Sequence, residues 1–153
     1  ISMNDNALEL TLLKSASSPE MRADNREHEF TYAFTAWEGS FTDADVVRQG
    51  YELNATPLLQ DGAAGTFSLV NIDKQNIILD TVKPAEDQSG DIILRFYESK
   101  KAAVTSEITV NFGAFKAYHC DMLENKGEEI VLKDNHISLT FGAFEIKTVR
   151  ISR

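Results

Sequence analysis

The sequence predicts an all-β fold, an antiparallel β-sandwich with at most one short helix. Three observations carry it: apolar residues alternate with polar ones in many short runs, turn-forming residues recur about every ten positions, and only one stretch has helical spacing. The reference stretch is Asn76 to Ser99, where two apolar runs flank the turn-rich linker Lys83 to Gly90. In the second run Ile92, Leu94 and Phe96 share one face and Ile93, Arg95 and Tyr97 the other, the period of a half-buried strand. The first run, Asn76 to Val82, is aliphatic or β-branched at nearly every position and is expected to be a strand covered on both faces. Pro84 suits a strand end, and Glu86, Asp87 and Asp91 around Gly90 read as a solvated turn. The stretch is a predicted hairpin.

The other elements follow in chain order. Leu8 to Leu13 alternates, with Leu8, Leu10 and Leu12 inward, and Lys14 to Arg26 is a loop rich in serine with Pro19. Phe30, Tyr32, Phe34 and Ala36 then define the face of a second strand that ends at Trp37. Thr42 to Asn54 is the one helical candidate, with Thr42 as cap and Asp43 and Asp45 in a first turn where negative charge meets the dipole. A loop around Asp61, Gly62 and Gly65 leads to a strand at Phe67 to Ile72. After the hairpin, Val104 to Phe112 places Ile108, Val110 and Phe112 inward, and Gly113 marks a turn. Lys116 to Leu123 is mixed, Glu124 to Glu129 is a charged loop, and Ile130 to Leu132 is a short strand. Ile137, Leu139 and Phe141 alternate again. The last strand changes phase between Phe144/Ile146 and Val149/Ile151, which requires a bulge or burial on both sides.

The 153 residues suffice for a single domain, 1–153, with one substantial core. With 42% apolar and 25% charged residues the composition is that of a soluble globular chain. No apolar run is long enough to cross a bilayer, and the opening ISMNDN has no signal-peptide pattern; it reads as a cut inside a longer protein. Fifteen Lys and Arg stand against twenty-four Asp and Glu, so the net charge of −9 repels a phosphate backbone and excludes nucleic acid as an expected partner. A single cysteine, Cys120, forms no internal disulfide, which points to a reducing compartment, the cytoplasm.

Little in the chain has the spacing of a catalytic centre. His28, His119 and His136 show no HxH, HxxxH or HExxH pattern, and His119, Cys120 and Asp121 alternate across a strand, so no zinc site is expected. Ser89 before Gly90 lacks a nucleophile elbow. The sharpest polar cluster is RADNREHE, Arg22 to Glu29, a loop beside an aromatic strand of the kind a sugar cleft or interdomain contact would use. Trp37, Tyr51, Tyr97 and Tyr118 could supply a stacking platform.

Four blocks in order, LELTLLKSASSPE, ADNREHEFTYAF, KPAED with ILRFYE, and GAFEIKTVRI, resemble the C-terminal β-domain of glycoside hydrolase family 38, the zinc-dependent α-mannosidases. The resemblance implies a supersandwich of the galactose mutarotase-like type. It implies a role as the C-terminal, non-catalytic piece of an enzyme that hydrolyses terminal α-D-mannosides with retention. In that family the zinc ligands and the aspartate nucleophile lie in an N-terminal catalytic domain. This chain is therefore expected to hold no cofactor itself, while the full-length enzyme holds zinc. The implied partner is that catalytic domain, whose cleft the β-domain packs on and shapes, with mannoside met through the whole enzyme. Asp24, Glu27 and His28 match the block nearest the family's active site and are the candidate cleft or interface residues; Arg26 departs from the pattern. The competing expectations are a stand-alone carbohydrate-binding module using Trp37, and a structural module that forms homo-oligomers through an apolar patch.

Overall fold

A computed structural model describes residues 1–62 and 65–153. Contacts divide the chain into two units, Ile1–Ala36 and Trp37–Arg153. In chain order the strands are β1 (Ser2–Asn4), β2 (Ala7–Glu9), β3 (Val70–Ile72), β4 (Ile77–Pro84), β5 (Ile92–Glu98), β6 (Val104–Val110), β7 (Lys116–Cys120), β8 (Lys126–Ile130), β9 (His136–Phe141) and β10 (Ile146–Ser152). Among the described residues one helix, α1 (Val46–Asn54), precedes β3, and every strand pairing is antiparallel, in keeping with the alternation.

The larger unit is a sandwich. Strands β4-β5-β10-β7-β8 form one sheet and β3-β6-β9 the other. Leu94, Phe96, Ala117, Ile130, Val149 and Ile151 from the first sheet share one buried cluster with Ile108, Val110, Ile137, Leu139 and Phe141 from the second. Burying each large side chain between the sheets contributes about 1.5–3 kcal/mol before the entropy of ordering it is set against it.

The expected hairpin is present as β4 and β5, with Leu79 opposite Phe96 and a register shift between Leu79 and Thr81. One expectation fails. β4 is the edge of its sheet: Ile77 is buried and Ile78 half-buried, but Asp80, Val82 and Pro84 are exposed, so the aliphatic run is covered on both faces only near its start. An edge also tolerates Pro84, whose missing N–H removes no ladder bond from the centre. The phase change in the last strand resolves as burial on both faces: Thr148, Val149, Arg150 and Ile151 are all buried, because β10 lies between β5 and β7. Phe144 stands outside the strand in the left-handed region, φ 55°.

Charged and helical segments depart in detail. The expected loop 124–129 contains β8, whose residues Lys126 to Glu129 are exposed. Of the expected strand 130–132 only Ile130 is in a ladder. An edge strand held by backbone bonds to β7 needs no apolar alternation, which is why the pattern was silent there. The helix starts at Val46 rather than Thr42. Thr42 lies in a turn in which the Ser40 N–H and hydroxyl donate to Asp43 Oδ2 at 2.8 and 2.7 Å. Tyr51 of α1 donates its hydroxyl to Asp80 Oδ1 of β4 at 3.0 Å, and Tyr97 of β5 donates to the Tyr51 oxygen at 3.4 Å. The Tyr97 neighbour, burial and the Asp80 carboxylate to which Tyr51 donates raise the Tyr51 phenol well above its ordinary range.

In the smaller unit β1 and β2 pair as a hairpin, Met3 opposite Leu8, and the ladder ends at Glu9. Leu8, Leu10 and Leu12, expected inward, are exposed. The expected strand Phe30–Ala36 is not in a ladder, and Phe30, Tyr32 and Phe34 are exposed. Alternation yields a half-buried strand only where a partner edge and an apolar layer are supplied, and among the described residues neither covers this segment. Similarly the strand expected from Phe67 begins only at Val70, with Phe67 exposed.

Candidate functional site

Strand alternation turns Val149 and Ile151 into the core and Arg150 to the opposite face of β10, opposite Ile93 on β5 and Tyr118 on β7. Two loops close over that guanidinium, the β4–β5 turn and the β7–β8 connection. Arg150 Nε donates to Asp91 Oδ2 at 2.6 Å, and Nη2 donates to Asp87 Oδ2 at 2.6 Å and to Ser89 Oγ at 2.8 Å. Nη1 donates to the Glu124 carbonyl at 3.3 Å. Lys126 Nζ adds a second cation to Asp91 at 3.0 Å and lies 4.9 Å over the Tyr118 ring. Lys83 Nζ bridges Glu124 at 2.6 Å and Glu86 at 2.5 Å, and the Glu86 N–H donates to Glu124 Oε2 at 2.9 Å. Beside this network lies a cleft of about 500 Å³, with Arg150, Asp87, Glu124 and Lys126 among its walls.

The acidic turn is therefore not simply solvated. Asp91 is 6% exposed and Arg150 5% exposed, and a cation fifty-nine residues downstream turns the loop's carboxylates inward. The sequence places Lys83 in a linker and Glu124 and Lys126 in a charged loop, and nothing in it singles out these residues or Arg150 as partners. The available signal was Arg150 itself, a guanidinium between Val149 and Ile151 in a strand otherwise read as apolar. A buried cation in such a place demands partners.

The electrostatics limit what this cleft can do. Arg150 holds the Asp87 carboxyl down to about 2, with help from Ser89. Burial opposes ionisation of Asp91, but the hydrogen bonds from Arg150 and Lys126 outweigh it and keep that carboxyl below its ordinary value. Lys83, then the Glu86 N–H, holds Glu124 low as well. Burial likewise opposes the charge on Arg150, and Asp87 and Asp91 overcome it. Glycoside hydrolysis by paired carboxyls needs one kept protonated as the acid while its partner stays ionised. Asp87, Asp91 and Glu124 are all pushed the same way, each toward a paired anion. The network is a clasp that ties the β4–β5 turn and the β7–β8 connection to β10.

The three residues marked in the sequence lie in the smaller unit. Asp24 adopts φ 56°, and its carbonyl oxygen is 2.8 Å from His28 Nε2 and accepts from the Arg26 N–H at 2.9 Å. The His28 ring stacks on Phe30, centroids 6.0 Å apart and planes 18° from parallel. Asp24 and His28 are thus brought together through backbone rather than carboxylate, while Glu27 is exposed. Among the described residues no group of three or more His, Cys, Asp or Glu side chains is arranged to hold a metal. Burial pushes the Cys120 thiol up, making it a poor nucleophile. Of the four aromatics considered for a platform, Tyr51 and Tyr97 meet through their hydroxyls, Tyr118 lies under Lys126, and the Trp37 indole N–H donates to the Ser40 carbonyl at 3.0 Å.

Residues 76–149, from the start of the β4–β5 hairpin into β10, match the glycosyl hydrolases family 38 C-terminal beta sandwich domain. The sandwich of this chain belongs to that family. Among curated relatives the chain is similar to Alpha-mannosidase 2C1 of Homo sapiens, 33% identical over an alignment 153 positions long that takes in 95% of this chain and 15% of the relative. Alpha-mannosidase 2C1 of Mus musculus is 34% identical over an alignment 157 positions long, gaps included, that takes in 97% of this chain and 15% of that protein. Alpha-mannosidase G of Dictyostelium discoideum is 32% identical over an alignment 151 positions long that takes in 92% of this chain and 14% of that protein. The chain spans about 15% of the length of the curated relatives it matches.

Proposed function

We propose that this chain is the C-terminal, non-catalytic β-domain of a larger family 38 α-mannosidase, an enzyme hydrolysing terminal α-D-mannosides with retention. The observation that carries this reading is the disproportion of the similarity: 95% of this chain aligns with only 15% of its human relative. A piece that small, matched nearly end to end, is one module of a longer enzyme. The paired, ionised carboxylates over β10 support the non-catalytic half of the reading, since Asp87, Asp91 and Glu124 are engaged with cations within the clasp.

In this reading residues 1–153 act as one β-rich piece that packs on the catalytic domain and shapes its cleft, with Asp24, Glu27 and His28 as cleft or interface residues. Zinc belongs to the catalytic domain; the described residues here offer no ligand group for it, and no step of the reaction passes through them. The free thiol of Cys120 supports a cytoplasmic location. The test is hydrolysis of a chromogenic α-mannoside by the full-length polypeptide and by the 153-residue chain in parallel. Turnover is expected from the first alone, and turnover by the isolated chain would overturn the reading.

A further inference from the structure

The segment from His28 to Ala36 carries the pattern of a strand and is not in one. Phe30, Tyr32 and Phe34 alternate with Thr31, Ala33 and Thr35, so one face is aromatic and the other small or β-branched, a composition that suits a strand packed on both sides. Yet Phe30, Tyr32 and Phe34 are 46%, 67% and 78% exposed, and among the described residues no backbone N–H or carbonyl of 28–36 takes part in a hydrogen bond. Three aromatics at alternate positions on an unpaired backbone are a template for strand addition, and proteins cover such templates.

We propose that residues 28–36 are a strand of a β-sheet completed by the remainder of the longer polypeptide, pairing with an open sheet edge there. The proposal rests on the reading that this chain is one module of a family 38 enzyme. Two observations identify the occupant. The alignment with the mouse relative takes in 97% of this chain, this segment included, although the family's C-terminal sandwich begins only at residue 76. The same alignment covers 15% of that relative, so most of such a polypeptide lies outside these residues and is available to supply the edge.

Hydrogen–deuterium exchange, read by mass spectrometry on the full-length enzyme and on the 153-residue chain, tests this. The amides of 30–36 are expected to exchange slower in the full-length protein, on the order of a hundredfold, and freely in the isolated chain. Equal exchange in the two proteins overturns the proposal. Protection already present in the isolated chain overturns it too: if it grows with concentration the partner is a second copy, and if it does not the pairing lies within this chain. An α-mannoside assay on the same full-length sample separates this failure from that of the functional reading. Protection without hydrolysis retires the enzyme assignment and leaves the strand, whereas hydrolysis without protection retires the strand.

Discussion

Arg150 Nε donates to Asp91 Oδ2 at 2.6 Å, tying the central strand of the five-stranded sheet to the loop that ends the β4–β5 turn. Both side chains are nearly out of water, 6% and 8% exposed, and the pair draws Lys126, Asp87 and Glu124 around it.

Arg150→Met keeps much of the volume and removes the charge, leaving Asp91 with Lys126 alone. Breaking one side of a buried pair costs about 3 kcal/mol or more, because the remaining charge is stranded. Urea denaturation of the chain is expected to show that loss as a lower midpoint with an unchanged slope. Asp87→Ala, at a side chain 54% exposed, is expected to cost much less. If the two variants lost stability equally, the clasp would not be centred on Arg150.

That contrast also explains what the sequence disclosed. β5, β6 and β9 were legible because Leu94 and Phe96, Ile108 and Val110, and Ile137, Leu139 and Phe141 fill one buried cluster at a period of two. β8 was illegible because an edge strand of exposed charged residues carries no such period. The Phe30–Ala36 segment failed in the opposite sense, since its pattern is clear while the partner it calls for is not among the described residues. The clasp was hidden because its members come from three separated segments around residues 87, 124 and 150, and only the fold brings them together.

Glu98 is a second test of the same logic. It is fully buried, and among the described residues no cation pairs with it. It accepts instead from Asn76 Nδ2 at 2.8 Å and from the N–H groups of Lys100 at 2.7 Å and Phe144 at 3.0 Å. Burial opposes its ionisation and these donors prevail, holding the carboxyl below its ordinary range. One side chain thereby pins the start of β4, the turn after β5 and the left-handed residue before β10. Glu98→Ala strands several donors at a cost of about 1–3 kcal/mol for each one left without a partner. The expected outcome is a fall in thermal midpoint larger than that of Glu107→Ala, at an exposed site.

The pH dependence follows from the same groups. Asp87, Asp91, Glu98 and Glu124 are all lowered in the folded chain. A carboxyl depressed on folding contributes stability that is complete above its unfolded value and is lost as pH falls through its folded value. With ordinary values of 3.8 and 4.5 and Asp87 down to about 2, that loss falls between 4.5 and about 2. Urea midpoints are expected to hold level from neutrality to about pH 5 and then to drop steeply. Arg150→Met is expected to flatten the drop. A midpoint that rose on acidification would contradict the assignment.

The most direct measurement is α-mannosidase turnover by this 153-residue chain supplied with zinc, beside the full-length enzyme under the same conditions. The expected result is no hydrolysis above buffer and no retained zinc for the chain, with both present in the whole enzyme. Sustained hydrolysis by the chain alone would contradict the account, because it would place the reaction on residues assigned here to structure.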